Sequence, residues 1–134
     1  MLDKYNPINY TYHKTKRHRE ETKLLAITLT AEDNKAKEID LKEGDSQLSV
    51  LQNAVGGLIE AIDLGDSLTM WVNEEGKLNG LPINAIATLL WEKHFGFTDV
   101  IVGDVIFTGG TGDEGETLGL NEKTANELRT LLRL

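Results

Sequence analysis

The chain has 134 residues, with 14 basic and 22 acidic side chains, 40% apolar residues, 2 prolines and no cysteine. That length fits one globular domain able to bury a core without cross-links, and the missing cysteines exclude disulfide frameworks, thiolate zinc sites and cysteine nucleophiles. No apolar run approaches the ~18 residues of a membrane-spanning helix and the N-terminus lacks the apolar stretch of a secretory signal, so the sequence points to the cytoplasm and away from membranes.

Charge divides the chain. Residues 1–23 carry six basic side chains against three acidic ones, which leaves 8 basic and 19 acidic groups, a net −11, on residues 24–134. The sequence therefore reads as a flexible basic leader (1–23) ahead of a single acidic domain (24–134). A nucleic-acid arm is conceivable, with Tyr5, Tyr10 and Tyr12 stacking on bases and Lys14 to Arg19 meeting phosphates. A body at −11 repels the same phosphates, so the solvated leader is the preferred reading and nucleic acid is expected only through that leader, if at all.

The segments Leu24–Thr30 and Ala36–Lys42 alternate apolar and polar residues, with Leu25, Ile27 and Leu29 on one face, and Glu32–Lys35 supplies the turn of a hairpin. Asp45 or Ser46 caps a helix whose stripe is Leu48, Leu51 and Val55, stopped by Gly56-Gly57. Leu58–Asp63 and Leu68–Val72 form a second hairpin through Leu64–Ser67, with Gly65 free to take the positive φ of the turn. After the turn Asn73–Gly76 and the irregular Leu78–Pro82, a helix begins with Pro82 in its first turn. It carries Ile83, Ile86, Ala87, Leu90, Trp91 and His94 at helical spacing and ends at Gly96. Val100–Val102 and Val105–Phe107 are strand-like around Gly103-Asp104, which is a tight turn or a bulge. Asn121 caps a last helix with Ala125, Leu128, Leu131 and Leu132 toward the core. The order is roughly ββαββαβ(β)α, an α+β domain with an antiparallel or mixed sheet of hairpins and about three helices packed on one face.

The chemistry-bearing patterns are weak. Gly110-Thr-Gly112-Asp-Glu-Gly115 matches the G-x-G-x-x-G string, but no helix opens at its third glycine and Asp113, Glu114 and Glu116 would face the phosphates, so a mobile acidic loop is favoured over a phosphate cradle and no cofactor is expected. His13, His18 and His94 lack zinc spacing and the acidic loops lack calcium-loop spacing, so no metal site is expected. Ser46, Ser49 and Ser67 sit in no nucleophile elbow, and an enzyme acting through Glu60, His94 or Asp104 would rest on groups of no recognisable spacing, so no catalytic residue is assigned. An amide-rich cluster stands out: Asn73, Asn79 and Asn84, with Trp71 and Trp91 as apolar walls, form the candidate ligand-binding set. Asparagines also cap helices and close turns, and tryptophans fill cores, so a structural role competes at each position.

The runs Leu51–Ile62, Val72–Thr88 and Asp99–Val105 resemble, in the same order, the small phage, plasmid and actinobacterial proteins of the domain of unknown function 3846 family, over about residues 25–134. The resemblance implies an accessory protein of a mobile element and transfers no activity or site residue. The matched Gly56-Gly57 junction, the Asn73-to-Asn84 connection and the Val102-Gly103-Asp104 turn define a testable surface if they meet at one end of the sheet. The leading expectation is a non-enzymatic binding module that engages a host protein or sequesters a small molecule, in an anti-defence role. The alternatives are an acidic nucleic-acid mimic occupying a DNA-binding enzyme and, ranked lower, a small hydrolase. The sequence leaves a homo-oligomer open.

Overall fold

A computed structural model describes residues 23–65 and 67–134. The basic leader, apart from Lys23, lies outside the described residues, and with it the nucleic-acid arm. The elements are β1 (Leu25–Leu29), β2 (Ala36–Asp40), α1 (Gln47–Val55), β3 (Ile59–Asp63), β4 (Thr69–Asn73), α2 (Ala85–Phe95), β5 (Val105–Thr108) and α3 (Glu122–Leu132). Among the described residues the ββαββαβα order makes an α+β fold with three helices and a five-stranded sheet.

All four strand pairings are antiparallel, and the sheet order is β2-β1-β5-β4-β3. The two hairpins therefore never touch each other directly. The last strand enters between them, pairing Ile27 with Phe107 on one side and Met70 with Phe107 on the other. Its four residues are all buried, as expected for a central strand covered on both faces.

Those two faces carry different layers. Leu25, Ile27, Leu29, Met70, Val72, Val105 and Phe107 pack with Ala87 and Leu90 of α2 and with Ala125, Leu128 and Leu132 of α3. Ala26, Ile106 and, partly buried, Trp71 and Ile59 pack with Val50, Leu51 and Val55 of α1. The helices thus flank the sheet instead of sharing one face, which corrects the expectation from sequence. The reason is that β1, β4 and β5 each carry apolar or small residues at both parities, so both faces have area to bury. Because α1 is alone on its side, only its narrow strip is covered, and Leu48 is exposed.

The helix starts follow local chemistry. Ser46 caps α1 and forms a reciprocal box with Ser49, at 3.0 and 3.2 Å, and Gly56 closes it in the left-handed region with its N–H donating to the Gln52 carbonyl at 2.8 Å. Asn121 caps α3 through the Thr124 N–H at 2.8 Å. Leu131 lies at the margin of the α3 stripe and is exposed. Val100–Val102 is not a strand; Val102 makes a single antiparallel bridge to Ile83, and Gly103, at φ +81°, turns the chain into β5.

Candidate functional site

The three segments matched in the resemblance meet at the end of the sheet where β1 and β4 finish and β5 begins. The Asn73 Nδ2 donates to the Val55 carbonyl at the end of α1 at 3.2 Å, and its Oδ1 accepts the Glu75 N–H at 2.8 Å. Gly57 runs beneath that amide so closely that an added Cβ would come within 2.9 Å of Nδ2. Gly103 donates its N–H to the Pro82 carbonyl at 2.7 Å.

Asn84 is the centre of this junction. It is wholly buried; its Oδ1 accepts the Ala87 N–H at 3.2 Å as the cap of α2, and its Nδ2 donates to the carbonyls of Leu29 (3.2 Å) and Gly103 (3.0 Å). Both amide N–H groups and one oxygen lone pair are committed, and with the side chain shut off from solvent it presents nothing to a ligand. Pro82 stands ahead of this cap and not in the first helical turn, and Ile83 is exposed instead of lying on the buried stripe, because the cap needs Asn84 extended and so places the preceding residues outside the helix. Thr88 completes the junction, donating to the Asn84 carbonyl at 2.8 Å and accepting the Ile101 N–H at 2.9 Å.

The other candidate residues are dispersed. Trp71 lies on the α1 face, where its indole N–H donates to Thr108 Oγ1 at 2.8 Å. Trp91 lies on the opposite face, half-buried against the main core, with its indole N–H on Thr98 Oγ1 at 3.0 Å and its ring 4.3 Å from that of Phe95. The sheet separates the two indoles, so they do not form walls of one pocket. Asn79 is exposed in the turn after β4. Only Trp91 and Asn73 line a common cavity.

That cavity is an open groove of about 410 Å³ between the β3–β4 edge and the C-terminal half of α2, with Trp91, Phe95, Leu78 and Val100 among its apolar lining and Glu60 and Glu74 at its acidic margin. Lys77 and Asp99 bridge its rim as an ion pair. The hydrogen bond from Lys77, with one from the Val100 N–H, holds the Asp99 carboxyl below its ordinary pKa. Leu78 in the groove is 86% exposed, and Phe97, two residues beyond Phe95 in sequence, is 90% exposed, although both are large and apolar. Sequence reasoning missed this surface. Its signal was two lone apolar residues in polar turns, Leu78 in Gly-Lys-Leu-Asn-Gly and Phe97 in Gly-Phe-Thr-Asp.

Catalytic chemistry finds little support in the geometry. Glu60 lines the groove just described, Asp104 a second cavity and His94 a third. Asp104 Oδ1 accepts the Ala31 N–H at 2.9 Å, and His94 Nδ1 lies 3.0 Å from the Leu90 carbonyl of its own helix. In the 110–115 loop the Gly112 N–H donates to Glu116 O (2.8 Å) and the Gly115 N–H to Gly112 O (3.0 Å), so those two amides are turned inward and not toward a phosphate. Among the described residues no group of three His, Asp or Glu side chains is placed to hold a metal ion, and no helix is long and apolar enough to cross a membrane.

The architecture and site define a small α+β domain with an open apolar groove on an acidic body. The chain belongs to the family described as Domain of unknown function (DUF3846), whose model matches residues 25–133. No curated protein and no solved structure matches the chain.

Proposed function

We propose that this protein is a non-enzymatic binding module, an accessory of a mobile element, that engages a protein of its host cell through the groove between the β3–β4 edge and α2. The observation that carries this reading is the exposure of Leu78 and Phe95 beside the half-buried Trp91 in one groove. Contiguous apolar and aromatic surface with a charged rim is the composition of a protein-binding patch. A small-molecule pocket would need converging polar groups in an enclosed space, and the amides nearest to that description, Asn73 and Asn84, are spent on main-chain partners. The acidic-decoy alternative needs carboxylates gathered on one face, whereas Asp33 and Asp104 line one cavity and Glu60 and Glu74 another.

The test is native mass spectrometry of the protein recovered from a bacterial lysate, run beside Leu78→Lys and, as a control on the α2–α3 side, Leu131→Lys. A protein partner retained by wild type and the control but lost from Leu78→Lys supports the reading. A partner retained equally by all three overturns it, as does a retained small molecule without any protein.

A further inference from the structure

The two edges of the sheet are finished differently. In β2 the Asp40 N–H donates to Glu43 Oε1 at 3.4 Å, and Glu38 is clamped by Arg129 of α3 at 2.8 and 3.1 Å. Strand β3 has no such cover among the described residues. The Glu74 N–H donates to Leu58 O and the Leu64 N–H to Leu68 O, both in register with the β3–β4 ladder. Glu60 and Ile62 therefore bond inward to β4, while the N–H and C=O groups of Ile59, Ala61 and Asp63 point outward with no strand beside them among the described residues.

The side chains of that edge set what kind of strand fits. Glu60 and Ile62 share the face of the sheet that carries α2, and both line the groove. An added antiparallel strand would use Ile59, Ala61 and Asp63 for its hydrogen bonds. That leaves Glu60 and Ile62 in the non-hydrogen-bonded pairs, where facing side chains come closest. The charged lining of the groove is Glu60, Glu74 and Asp99 against Lys77, and Lys77 is already paired with Asp99. Glu60 and Glu74 have no ion-pair partner among the described residues. A strand with a lysine or arginine opposite Glu60 and an apolar residue opposite Ile62 complements both. A second copy of β3 cannot supply the cation: Ile59–Asp63 holds two carboxylates and no basic residue, and each copy carries a net −11 on residues 24–134.

We infer that the partner docks as an extended basic strand, adding to β3 through the outward groups of Ile59, Ala61 and Asp63, with a lysine or arginine against Glu60 and an apolar residue two positions away against Ile62. This rests on the groove being a protein-binding surface and names the partner's chemistry there. Main-chain pairing supplies affinity that many sequences share, and Glu60 selects among them by charge.

The test uses the full chain and a synthetic peptide, Thr-Lys-Thr-Val-Thr-Lys-Thr-Val-Thr, whose alternation sets lysine and valine opposite Glu60 and Ile62 and threonine opposite Ile59, Ala61 and Asp63. Amide hydrogen exchange is followed by NMR. At a peptide concentration about tenfold above its Kd, the outward amides of Ile59, Ala61 and Asp63 slow about tenfold, with β5 amides unchanged as the control on folding. The same peptide N-methylated at every threonine keeps its charges but cannot pair, and it gives no protection. Glutamate in place of lysine likewise gives none on the wild type, and on Glu60→Lys the preference reverses. No protection by the first peptide at any soluble concentration overturns the inference. So does equal binding of the N-methylated peptide, which assigns the attraction to the acidic body alone. Protection without peptide that fades on dilution overturns it too, by giving the edge to a second copy. Ala61→Pro, which takes away an outward N–H and no bond to β4, separates the strand from the groove in the lysate experiment. A partner lost from Leu78→Lys but kept by Ala61→Pro sinks the strand alone; one kept by Leu78→Lys but lost from Ala61→Pro, with its melting intact, sinks the groove reading and leaves the edge pairing.

Discussion

The Asn84 junction and the Trp91 groove both draw on α2 and the 99–103 segment, and they end in opposite states. Around Asn84 every polar side-chain atom has a main-chain partner and the side chain is excluded from solvent; around Trp91 the apolar surface of Leu78 and much of Phe95 stays exposed. Saturated polar groups make a joint, since any movement leaves a buried donor or acceptor without a partner. Uncovered apolar groups make a surface whose burial is still to be gained. What separates the two is whether each group has a partner.

The largest expected effect comes from breaking the joint. Asn84→Ala removes a helix cap and strands the buried carbonyls of Leu29 and Gly103, so denaturant unfolding should show a loss of about 3 kcal/mol. A loss under ~1 kcal/mol would mean that the junction is held by its apolar neighbours. Asn73→Ala deletes bonds to Val55 O and the Glu75 N–H nearer the surface and should cost about 1–2 kcal/mol. If instead it leaves the unfolding midpoint unchanged while weakening partner capture, Asn73 belongs to the surface and not to the joint. Leu78→Lys is expected to shift stability by less than about 0.5 kcal/mol, since no packed contact is lost, yet to abolish capture; near-wild-type circular dichroism melting separates the two readouts.

The smallest effect is electrostatic. Arg129 holds the Glu38 carboxyl below its ordinary pKa chiefly through its hydrogen bond, and Lys77 does the same for Asp99. A carboxyl that is more acidic when folded takes up protons on unfolding, so its contribution is complete above the ordinary carboxylate value. It is lost as the pH falls through the lowered folded-state value, below about pH 4. Both pairs are solvent-exposed, so Lys77→Gln should only slightly flatten the acid limb of a stability-against-pH curve. A change near neutral pH would mean that the rim pair positions the groove in some further way.

Much of the fold was legible because its signals are local. Ser46 and Asn121 stand as the helix caps that the sequence offers, and the alternation of Leu25, Ile27 and Leu29 fixes their shared face. The layering was not legible, since it depends on where β5 is inserted, and that is set by pairings between residues about 80 apart, such as Ile27 with Phe107. The trace it left is the unbroken apolar run Val105-Ile-Phe107, which suits a strand buried on both sides as well as a half-buried one. The groove was hidden for a related reason, being assembled from β3, the turn after β4, the end of α2 and the 99–102 segment. Gln47 escaped notice too: its amide exchanges two bonds with the Thr117 main chain at 2.7 and 3.1 Å and ties the start of α1 to the acidic loop, a pairing that no spacing announces.

The insertion of β5 between the hairpins also sets an order of events during synthesis. A nascent chain that has emerged only as far as Gly103 owns both hairpins and two of its three helices, but neither hairpin has a neighbour to share a ladder with. The sheet becomes one object only when four consecutive residues, 105–108, leave the ribosome and zip into both hairpins together. Until then the inner edges of β1 and β4 are open to any other strand. The ribosome is therefore expected to carry its most aggregation-prone intermediate late, after Gly103 has emerged and before residues 105–108 follow.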